Sequence, residues 1–290
     1  MIKLKTDKSI EWCPGCGNFG ILDTVQVVLE ELIAEGTPLE KFIIVSGVGN
    51  HAKIVDYLNV NSFYSIHGRA LPVAEAIKLA DPEAKVICFV GDGDSFAEGL
   101  DHLIFAAKRN SDITVVVHDN RTYGLATGQF TPTSQEEFTG GTMPEGAKEE
   151  SFNPLELMLV SGATFIGRGY PIKKDHFKKI LKEAIVHKGF SIVDVLQVCV
   201  TFNNLYTAYS KNVYEIVDEK LDDRDEALKK IRIWNYKDSD EPIPIGSFYK
   251  INKINFEEKY QKLNLDMKTR NQKIDNILNN RITDTKEYNE

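Results

Sequence analysis

Residues 86–129 read VICFVGDGDSFAEGLDHLIFAAKRNSDITVVVHDNRTYGLATGQ and contain two apolar, strand-like runs on either side of a helical run. The first run, Val86 to Val90, stops at Gly91-Asp92-Gly93, and the second, Ile113 to Val117, stops at His118-Asp119-Asn120. The ends of parallel strands meet at one edge of a sheet, which is where open α/β sheets bind ligands. The stretch therefore predicts an α/β fold, with a parallel sheet flanked by helices and a ligand site at the strand ends.

The turn after the first strand has the composition of a phosphate-binding turn. Gly91 and Gly93 have no side chain, so the backbone can approach a phosphate closely. A helix is predicted to follow from Ser95 to Lys108. The free N–H groups and the positive dipole end at the start of a helix attract anions.

Oxygen ligands for a divalent cation follow both strands. Asp92 and Asn120, with a backbone carbonyl near Thr122, suit Mg²⁺ that bridges a diphosphate. The Gly-Asp-Gly turn, the helix, the second strand and the closing Asn together resemble the thiamine diphosphate motif, which implies a pyrophosphate-binding type of fold. Two ordinary tight turns at the strand ends are the competing interpretation.

Length, composition and charge exclude several classes of protein. The chain has 290 residues, of which 42% are hydrophobic, so it forms one large domain or one domain with a tail. A formal net charge of −8 argues against nucleic acid or an anionic membrane as a main partner. No apolar run approaches the roughly 18 residues of a membrane span, and the N-terminus lacks the apolar core of a signal peptide. We therefore expect a cytoplasmic protein.

Two cysteines near the N-terminus stand in a loop that is typical of a ligand site. Cys13-Pro14-Gly15-Cys16-Gly17 places two thiols three positions apart around a turn. In a reducing compartment such a pair indicates a metal or redox site. Two chance cysteines and a thioredoxin-like dithiol are the alternatives, although the strand that precedes a thioredoxin-like pair is missing here.

Two further turns are predicted to reach the ligand site. A buried strand from Phe42 to Val45 runs into Ser46-Gly47-Val48-Gly49-Asn50-His51. His51 is either a polar turn residue or a neighbour of a cofactor or cluster. The segment Ile66 to Pro72 opens the next helix, and His67 within it is a candidate for contact with an anion or the cofactor.

Periodicity, caps and turn residues predict the other elements of the first two thirds. They are a helix from Ile21 to Ala34, an irregular loop over 130–151, a helix capped by Asn153-Pro154, a strand from Ala163 to Gly167, a helix from Asp175 to His187 that leaves His176 and His187 solvated, and a strand from Phe190 to Val198 that delivers Cys199.

The last third of the chain is more polar. Residues 1–205 are predicted to form the cofactor-binding α/β domain, including the N-terminal cysteine loop. Residues 206–290 are predicted to form a polar helical arm that packs on a partner subunit. Within this arm, Gly246 to Ile251 is predicted as an edge strand and Phe256 to Leu278 as a polar helix.

Several motifs in a fixed order carry a resemblance to a known family. They are CPGCGN from Cys13, IHGRALPVA from Ile66, GDGD from Gly91, HDNRTYGL with TGQ from His118, and QVCVTFN around Cys199. Together they resemble the β subunit of 2-oxoacid:ferredoxin oxidoreductases, over roughly Glu11 to Asn203.

The resemblance implies a subunit that carries Mg²⁺, thiamine diphosphate and one [4Fe–4S] cluster. It is expected to be active only with an α (or fused α/γ) partner, which would supply the glutamate that activates the aminopyrimidine. The implied reaction is the CoA-dependent oxidative decarboxylation of a 2-oxoacid, such as pyruvate or 2-oxoglutarate, to acyl-CoA and CO₂, with electrons passing through the cluster to ferredoxin. The alternatives are a non-oxidative thiamine diphosphate-dependent decarboxylase or synthase subunit, a non-catalytic iron–sulfur electron-transfer module, and a flavodoxin- or Rossmann-like nucleotide binder.

The resemblance also assigns roles to individual residues. Mg²⁺ would be held by Asp92, Asn120 and the Thr122 carbonyl, and the cluster by Cys13, Cys16 and Cys199. The diphosphate would contact Gly93, Asp94, Gly124 and Leu125, and the cofactor would be flanked by Val48, Gly49, Asn50, His51 and His67. The catalytic residues would be His67, Lys53 and Leu125, the last two near the point where 2-oxoacid or CoA enters.

One position departs from the family pattern. Many relatives have a cysteine, the remaining cluster ligand, at the position of Asn50. Cys88 is a poor replacement because it lies inside a predicted strand, where a buried, small apolar residue is expected. Three possibilities stand: a cluster whose fourth iron is bound by His51, Asn50 or water; a cluster that is lost in air; or no cluster. We expect a cluster because the three other cysteines are retained.

Overall fold

The structure, a computed structural model, describes residues 3–217, 220–238, 240–261, 272 and 274–277. The strands are β1 (Phe42–Ser46), β2 (Asn61–Tyr64), β3 (Lys85–Gly91), β4 (Ile113–Asp119), β5 (Phe165–Gly169), β6 (Ser191–Leu196), β7 (Val213–Glu215) and β8 (Ile243–Lys250). They form one sheet in the order β2-β1-β3-β4-β6-β5-β8-β7. All neighbours are parallel except β5 and β8. The predicted α/β fold is confirmed.

Helices cover both faces of this sheet. They are α1 (Asn18–Ala34), α2 (Ile54–Tyr57), α3 (Ala70–Ala80), α4 (Leu100–Arg109), α5 (Pro154–Ser161), α6 (Lys174–Val186), α7 (Tyr206–Asn212), α8 (Arg224–Ile231) and α9 (Phe256–Gln261). On one face α1 packs with α6, and on the other α3, α4, α5 and α8 pack together. Among the described residues, no helix is both long and apolar enough to cross a bilayer.

The central strands are apolar on both faces because helices cover both. In β3, Cys88 and Val90 belong to the core under α3 and α4, while Ile87 and Phe89 belong to the core under α1 and α6. Side chains alternate between faces along a strand, so a strand buried on both sides reads as a continuous apolar run. This explains why β3 and β4 could be predicted from short apolar runs.

The parallel strands bring four loops to one edge of the sheet. Ser46 pairs with Phe89, Gly91 with His118, and Asp119 with Leu196, so β1, β3, β4 and β6 end side by side. The chain runs from β1 outward to β2 and then returns past β1 to β3. The strand order therefore reverses between β1 and β3, which is the position where open α/β sheets bind ligands.

The helix predicted to follow β3 begins with a π turn. Asp94–Glu98 forms this turn, Gly99 interrupts it, and α4 starts at Leu100. The predicted continuous helix from Ser95 to Lys108 is therefore wrong over its first turn. A π turn widens the helix locally and is frequent at functional sites.

The strand that was predicted to lie at the sheet edge is internal. β8 pairs with β5 on one side and with β7 on the other, so β7 is the edge. Residues of the predicted arm are also buried against the chain itself, since Trp234, Tyr236 and Ile243 pack with Tyr170. The contact of this arm with a partner stays a prediction. Its predicted helix begins at Phe256 as α9, and residues 262–271, 273 and 278 of that helix lie outside the described residues.

His187, which was predicted to be solvated, is buried at the end of α6 with 6% of its surface exposed. Its Nε2 lies 2.9 Å from the Thr164 hydroxyl. The prediction was wrong because β5 and β6 fold over the end of the helix, and the helical pattern cannot report this long-range contact. Burial lowers the pKa of His187 to about 4, and the nearby Lys250 ammonium adds to this shift.

The stability of the chain is expected to depend on His187 below neutral pH. The unfolded chain takes up this proton near pH 6.5, whereas the folded chain resists it until about pH 4. The neutral ring therefore makes its whole contribution to the free energy of unfolding above pH 6.5. This contribution decreases by about 1 to 3 kcal/mol as the pH falls to 4. Urea unfolding of the wild type and His187→Gln at several pH values measures it.

The difference between these two proteins should shrink as the pH decreases, because the variant has no imidazole to protonate. His102→Gln, a change on the partly exposed α4, serves as the matched control and should leave the pH dependence unchanged. A constant difference between wild type and His187→Gln from pH 7 to 4 would contradict this assignment.

Candidate functional site

A cavity of about 310 Å³ lies at the edge where β1, β3, β4 and β6 end. The predicted site residues lie on the cysteine loop and on five further segments, which follow β1, β2, β3, β4 and β6. Nearly all of them line the cavity. Those that line it are Cys13, Cys16, Val48, Gly49, Asn50, His51, His67, Asp92, Gly93, Asp94, Asn120, Thr122, Gly124, Leu125 and Cys199.

Asp92 is a buried carboxyl group at the end of β3. Its Oδ2 lies 3.0 Å from the Thr133 hydroxyl, which also lies 2.9 Å from Oδ1 of Asp119. Burial raises the pKa of Asp92 to about 6, because a carboxylate removed from water loses its hydration. A divalent cation would supply the countercharge, so Asp92 fits the role of a metal ligand.

Asn120 follows β4 and faces the same cavity. Its Oδ1 accepts a hydrogen bond from the Thr122 N–H at 3.0 Å, which fixes the turn. An amide oxygen has a second lone pair, so this contact leaves it able to bind a cation. The Asn203 side chain donates to the Asn120 carbonyl at 3.1 Å and connects this turn to the loop after β6.

Tyr123 lies directly against Gly93. A Cβ atom at Gly93 would lie 2.0 Å from Cε1 of Tyr123, so the turn accepts only glycine while the ring stays in place. The Tyr123 hydroxyl donates to Glu98 at 3.0 Å. Burial raises the pKa of Tyr123, and the Glu98 carboxylate adds to the shift, so the phenol stays neutral. Tyr123 thus forms a wall of the cavity beside the predicted diphosphate turn.

Asp94 lies between two histidines of the cavity. Its Oδ1 accepts a hydrogen bond from the Gly68 N–H at 2.7 Å and lies 3.3 Å from Nδ1 of His67. Its Oδ2 lies 3.6 Å from Nε2 of His51. The carboxylate therefore positions the loops after β1 and before α3, and its predicted contact with a diphosphate stays a prediction.

His118 lines the cavity but was not predicted as a site residue. Its Nδ1 lies 2.8 Å from Oδ1 of Asn18 at the start of α1, and its ring centre lies 5.6 Å from that of His51. Burial lowers the pKa of His118 well below its usual value, and the charge of His51 adds to the shift. His118 therefore presents a neutral imidazole. The sequence signal was its place at the end of a buried strand, where a polar residue needs a partner.

The three predicted cluster cysteines meet at one end of the cavity. The loop that carries Cys13 and Cys16 packs on the loop after β6, because the Gly17 N–H donates to the Val198 carbonyl at 3.1 Å. A Cβ atom at Gly17 would lie 2.7 Å from the Val198 nitrogen, so glycine permits this approach. Cys199 follows one residue later and faces the same cavity.

The cysteine sulfurs have polar neighbours. The Thr201 hydroxyl lies 3.4 Å from Sγ of Cys13, and the Gln197 amide nitrogen lies 3.5 Å from Sγ of Cys16. Burial raises the pKa of Cys16 to about 11, and the charges of the two other cysteines add to the shift. The three thiols are therefore close enough to one another to interact electrostatically.

No three His, Cys, Asp or Glu side chains in the described ranges converge on a point that suits a single metal ion. An iron–sulfur cluster makes a different demand, since each thiolate binds a different iron and the sulfurs stand apart. The three cysteines therefore line one cavity without forming a mononuclear metal site of this kind. The predicted Mg²⁺ site includes only one such side chain, Asp92, with an amide and a carbonyl.

Two predicted catalytic residues lie at the margin of the site. Lys53 does not line the cavity and instead donates to the Glu11 carboxylate at 2.6 Å, and Glu11 does line it. Leu125 borders the cavity with 65% of its surface exposed. Lys53 therefore reaches the cavity only through Glu11, and not directly as predicted. Leu125 stands at the mouth of the cavity.

Several buried polar atoms of the cavity have no hydrogen-bond partner in the described part of the chain. They are Nε2 of His51, Nδ1 of His67, Oδ2 of Asp94, Nε2 of His118 and Oε1 of Gln197. A buried polar atom without a partner is destabilising by about 1–3 kcal/mol. Their concentration around one cavity therefore fits a site that binds a polar ligand, and a diphosphate-bearing cofactor has the required polar groups.

Two protein families match the chain over adjacent segments. Residues 47–195 match the thiamine pyrophosphate enzyme C-terminal TPP-binding domain. Residues 199–264 match the C-terminal part of the pyruvate ferredoxin oxidoreductase β subunit. The first segment contains the loops with Asp92 and Asn120, so the cofactor domain is a thiamine pyrophosphate-binding domain.

Curated proteins and a solved structure give the same result. The chain is 39% identical to 2-oxoacid:ferredoxin oxidoreductase 1, subunit beta, of Aeropyrum pernix, over 84% of this chain and 79% of that protein. It is 34% identical to the 2-oxoglutarate synthase subunit KorB of Archaeoglobus fulgidus, over 88% of this chain and 90% of that protein. The structure of 2-oxoglutarate:ferredoxin oxidoreductase from Magnetococcus marinus, with 2-oxoglutarate, coenzyme A and succinyl-CoA bound, superposes with a TM-score of 0.84 at 33% identity, covering 90% of this chain and 88% of that chain.

Proposed function

This chain belongs to the β subunits of the 2-oxoacid:ferredoxin oxidoreductases, and from that premise we propose that it performs the cofactor chemistry of a CoA-dependent oxidative decarboxylation. The substrate is a 2-oxoacid, the products are acyl-CoA and CO₂, and the electrons leave to ferredoxin. One observation carries the proposal: the Asp92 and Asn120 turns and the three cysteines line a single cavity. A thiamine diphosphate held by the first two turns would therefore lie beside an iron–sulfur cluster held by the cysteines.

The chain's own residues would hold the thiamine diphosphate and Mg²⁺. Asp92, Asn120 and the Thr122 carbonyl would bind the cation, which neutralises the diphosphate. The diphosphate would contact Gly93, Asp94, Gly124 and Leu125, as the family resemblance implies. When bound, the cofactor supplies the carbanion chemistry that removes CO₂ from a 2-oxoacid.

Histidines of the cavity would position the cofactor and the reacting groups. Asp94 holds His67 and His51 from one side by the contacts described above. His118 offers an unprotonated Nε2 as a hydrogen-bond acceptor, since its Nδ1 is engaged by Asn18. Leu125, which stands at the mouth of the cavity, lies where substrate and CoA would approach.

The cysteines would hold an iron–sulfur cluster next to the cofactor. Cys13 and Cys16 lie on one loop and Cys199 on another, which are connected through Gly17 and Val198. A cluster held by these three cysteines would supply one-electron transfer to a soluble carrier. Free thiols of this kind persist in reducing compartments, which supports a cytoplasmic location.

The two alternative functions leave part of the site without a role. A non-oxidative thiamine enzyme has no use for three cysteines beside the cofactor. A non-catalytic iron–sulfur module has no use for Asp92 and Asn120 at the ends of β3 and β4. The relatives described above are named as ferredoxin-linked oxidoreductase or 2-oxoglutarate synthase subunits, which favours the first function.

Activity is expected to require an α partner. The acidic side chains that line the cavity are engaged, since Glu11 pairs with Lys53, Asp94 binds Gly68, and Asp92 is assigned to the cation. The carboxylate that the family resemblance assigns to activation of the aminopyrimidine would come from the partner, and such an acid–base group is worth about 10² to 10⁴ in rate. The isolated chain, loaded with thiamine diphosphate and Mg²⁺, should therefore reduce viologen with 2-oxoacid and CoA at least about 10²-fold more slowly than the αβ complex.

The assay compares the purified chain, the complex, and the complex without CoA, under anaerobic conditions. Activity of the complex with at least one 2-oxoacid is the expected result. Equal rates from the isolated chain would contradict the partner requirement. A complex that releases CO₂ from 2-oxoacids without reducing any viologen would point to the non-oxidative alternative.

A further inference from the structure

We propose, building on the function proposed above, that the iron–sulfur cluster of this chain is anchored by three cysteines and that its fourth corner, beside Asn50, holds an exchangeable iron. A [4Fe–4S] cluster has four irons and is ordinarily bound by four thiolates. This chain has four cysteines in total. The position of each cysteine relative to the sheet determines whether it can bind the cluster.

Cys88 cannot supply the fourth thiolate. Its side chain is fully buried in β3 and belongs to the core under α3 and α4. The cysteine loop packs on the opposite face of the sheet, where Trp12 and Cys16 belong to the core with α1 and α6. Burial also raises the pKa of Cys88, which keeps it a neutral thiol. The sheet itself therefore separates Cys88 from the cysteine loop. Cys88 also does not line the cavity, whereas the three other cysteines do.

Asn50 occupies the position that a fourth ligand would need. A Cβ atom built on Gly124 would lie 3.8 Å from Sγ of Cys199 and 3.7 Å from Nδ2 of Asn50. The thiol and the amide thus face the same small region. The Trp12 indole N–H donates to the Asn50 carbonyl at 2.7 Å, which fixes Asn50 beside the cysteine loop.

His51 is directed away from the cysteines. Its ring lies against Gly49 and Gly91, and its Nε2 lies 3.6 Å from Asp94. The ring therefore serves the cofactor side of the cavity. Among the side chains of this turn, Asn50 is the one that faces the fourth corner, and its amide is neutral and binds iron more weakly than a thiolate does.

An iron that lacks a thiolate is released when the cluster is oxidised. One-electron oxidation converts [4Fe–4S]²⁺ to [3Fe–4S]⁺ and Fe²⁺, and the electron reduces an added oxidant such as ferricyanide to ferrocyanide. Adding Fe²⁺ and one electron from dithionite reverses the step. The three remaining irons each keep a cysteine, from Cys13, Cys16 and Cys199, so the smaller cluster stays bound.

The test uses the anaerobically purified αβ complex, treated with one equivalent of ferricyanide per cluster. Iron content and the EPR signal of the oxidised three-iron cluster are the readouts, so activity is not needed. The wild type should fall from about four to about three irons per β chain, develop the signal, and lose it after Fe²⁺ and dithionite. In Asn50→Cys, which provides a fourth thiol, the signal should be at least about tenfold weaker. Cys88→Ala should behave as the wild type.

The outcomes separate this inference from the proposed function. Four irons retained by the wild type with no EPR signal, or equal signals in the wild type and Asn50→Cys, would overturn the three-cysteine cluster and leave the proposed function intact. Iron near zero in the wild type, with about four irons in Asn50→Cys, would overturn it as well, because Asn50 would then prevent assembly. Iron near zero in both proteins would mean that the chain holds no cluster to transfer electrons to ferredoxin. The proposed oxidoreductase function would then fail as well.

Discussion

Asp92→Ala is expected to abolish the retention of thiamine diphosphate, with a loss of affinity of more than about 100-fold. Asp92 is the only carboxylate among the three groups assigned to Mg²⁺, and it lies buried at the end of β3. Without it the cation loses its charged protein ligand, and the diphosphate loses the countercharge that holds it. Asn120 and the Thr122 carbonyl are neutral and cannot compensate.

The measurement is the thiamine diphosphate and Mg²⁺ content of the αβ complex after desalting, supported by titration of the cofactor-free protein. Asp101→Ala is the matched control, since that carboxylate is 69% exposed on α4 only nine positions further along the chain. It should retain the cofactor fully. A far-UV circular dichroism spectrum establishes that Asp92→Ala is folded, and unchanged cofactor occupancy in the folded variant would contradict the metal assignment.

The fold and much of the site could be predicted because they depend on local pattern. Apolar runs such as Val86 to Val90 identify strands that are buried on both faces, and the polar turns that follow must then meet at one edge of the sheet. Strand order and turn composition alone therefore predict that Asp92, Asn120 and Cys199 lie near one another. The cavity at the edge of the sheet contains all three.

The residues that were missed depend on contacts between distant parts of the chain. The His118 ring is held by a hydrogen bond to Asn18, a hundred positions earlier in the chain. His187 is buried by β5 and β6. β8 is internal because it pairs with β5, and no local pattern encodes that pairing. Sequence periodicity reports which face of an element is apolar, but it does not report which element covers it.

A buried ion pair ties the C-terminal segment to the sheet. Arg168 of β5 and Asp194 of β6 are both fully buried, and Nε of Arg168 lies 3.1 Å from Oδ2 of Asp194. The Tyr236 hydroxyl donates to the same carboxylate oxygen, and Arg168 also donates to the Pro244 carbonyl at 3.1 Å. The pair thus connects two parallel strands with the segment that leads into β8.

Removing one member of this pair should destabilise the chain strongly. Arg168→Met leaves the Asp194 carboxylate buried without its cation, and a broken buried pair costs about 3–5 kcal/mol of unfolding free energy. Urea unfolding of the cofactor-free chain measures this loss. Lys229→Ala breaks an exposed pair with Glu226 and is the matched control, with an expected change below about 1 kcal/mol.

The double variant Arg168→Met/Asp194→Leu distinguishes the two parts of this effect. If the loss in Arg168→Met arises from an uncompensated charge, then removing the carboxylate as well should recover most of the stability, because apolar side chains of similar size can replace a buried pair. If instead the hydrogen bonds to Tyr236 and Pro244 hold the segment in place, the double variant should be as unstable as the single one. We expect recovery of more than half of the loss, since the desolvated charge is the larger cost. A double variant that recovers less than half of the loss would contradict this, and one that recovers none of it would identify the polar contacts of Arg168 as what keeps β8 paired with β5.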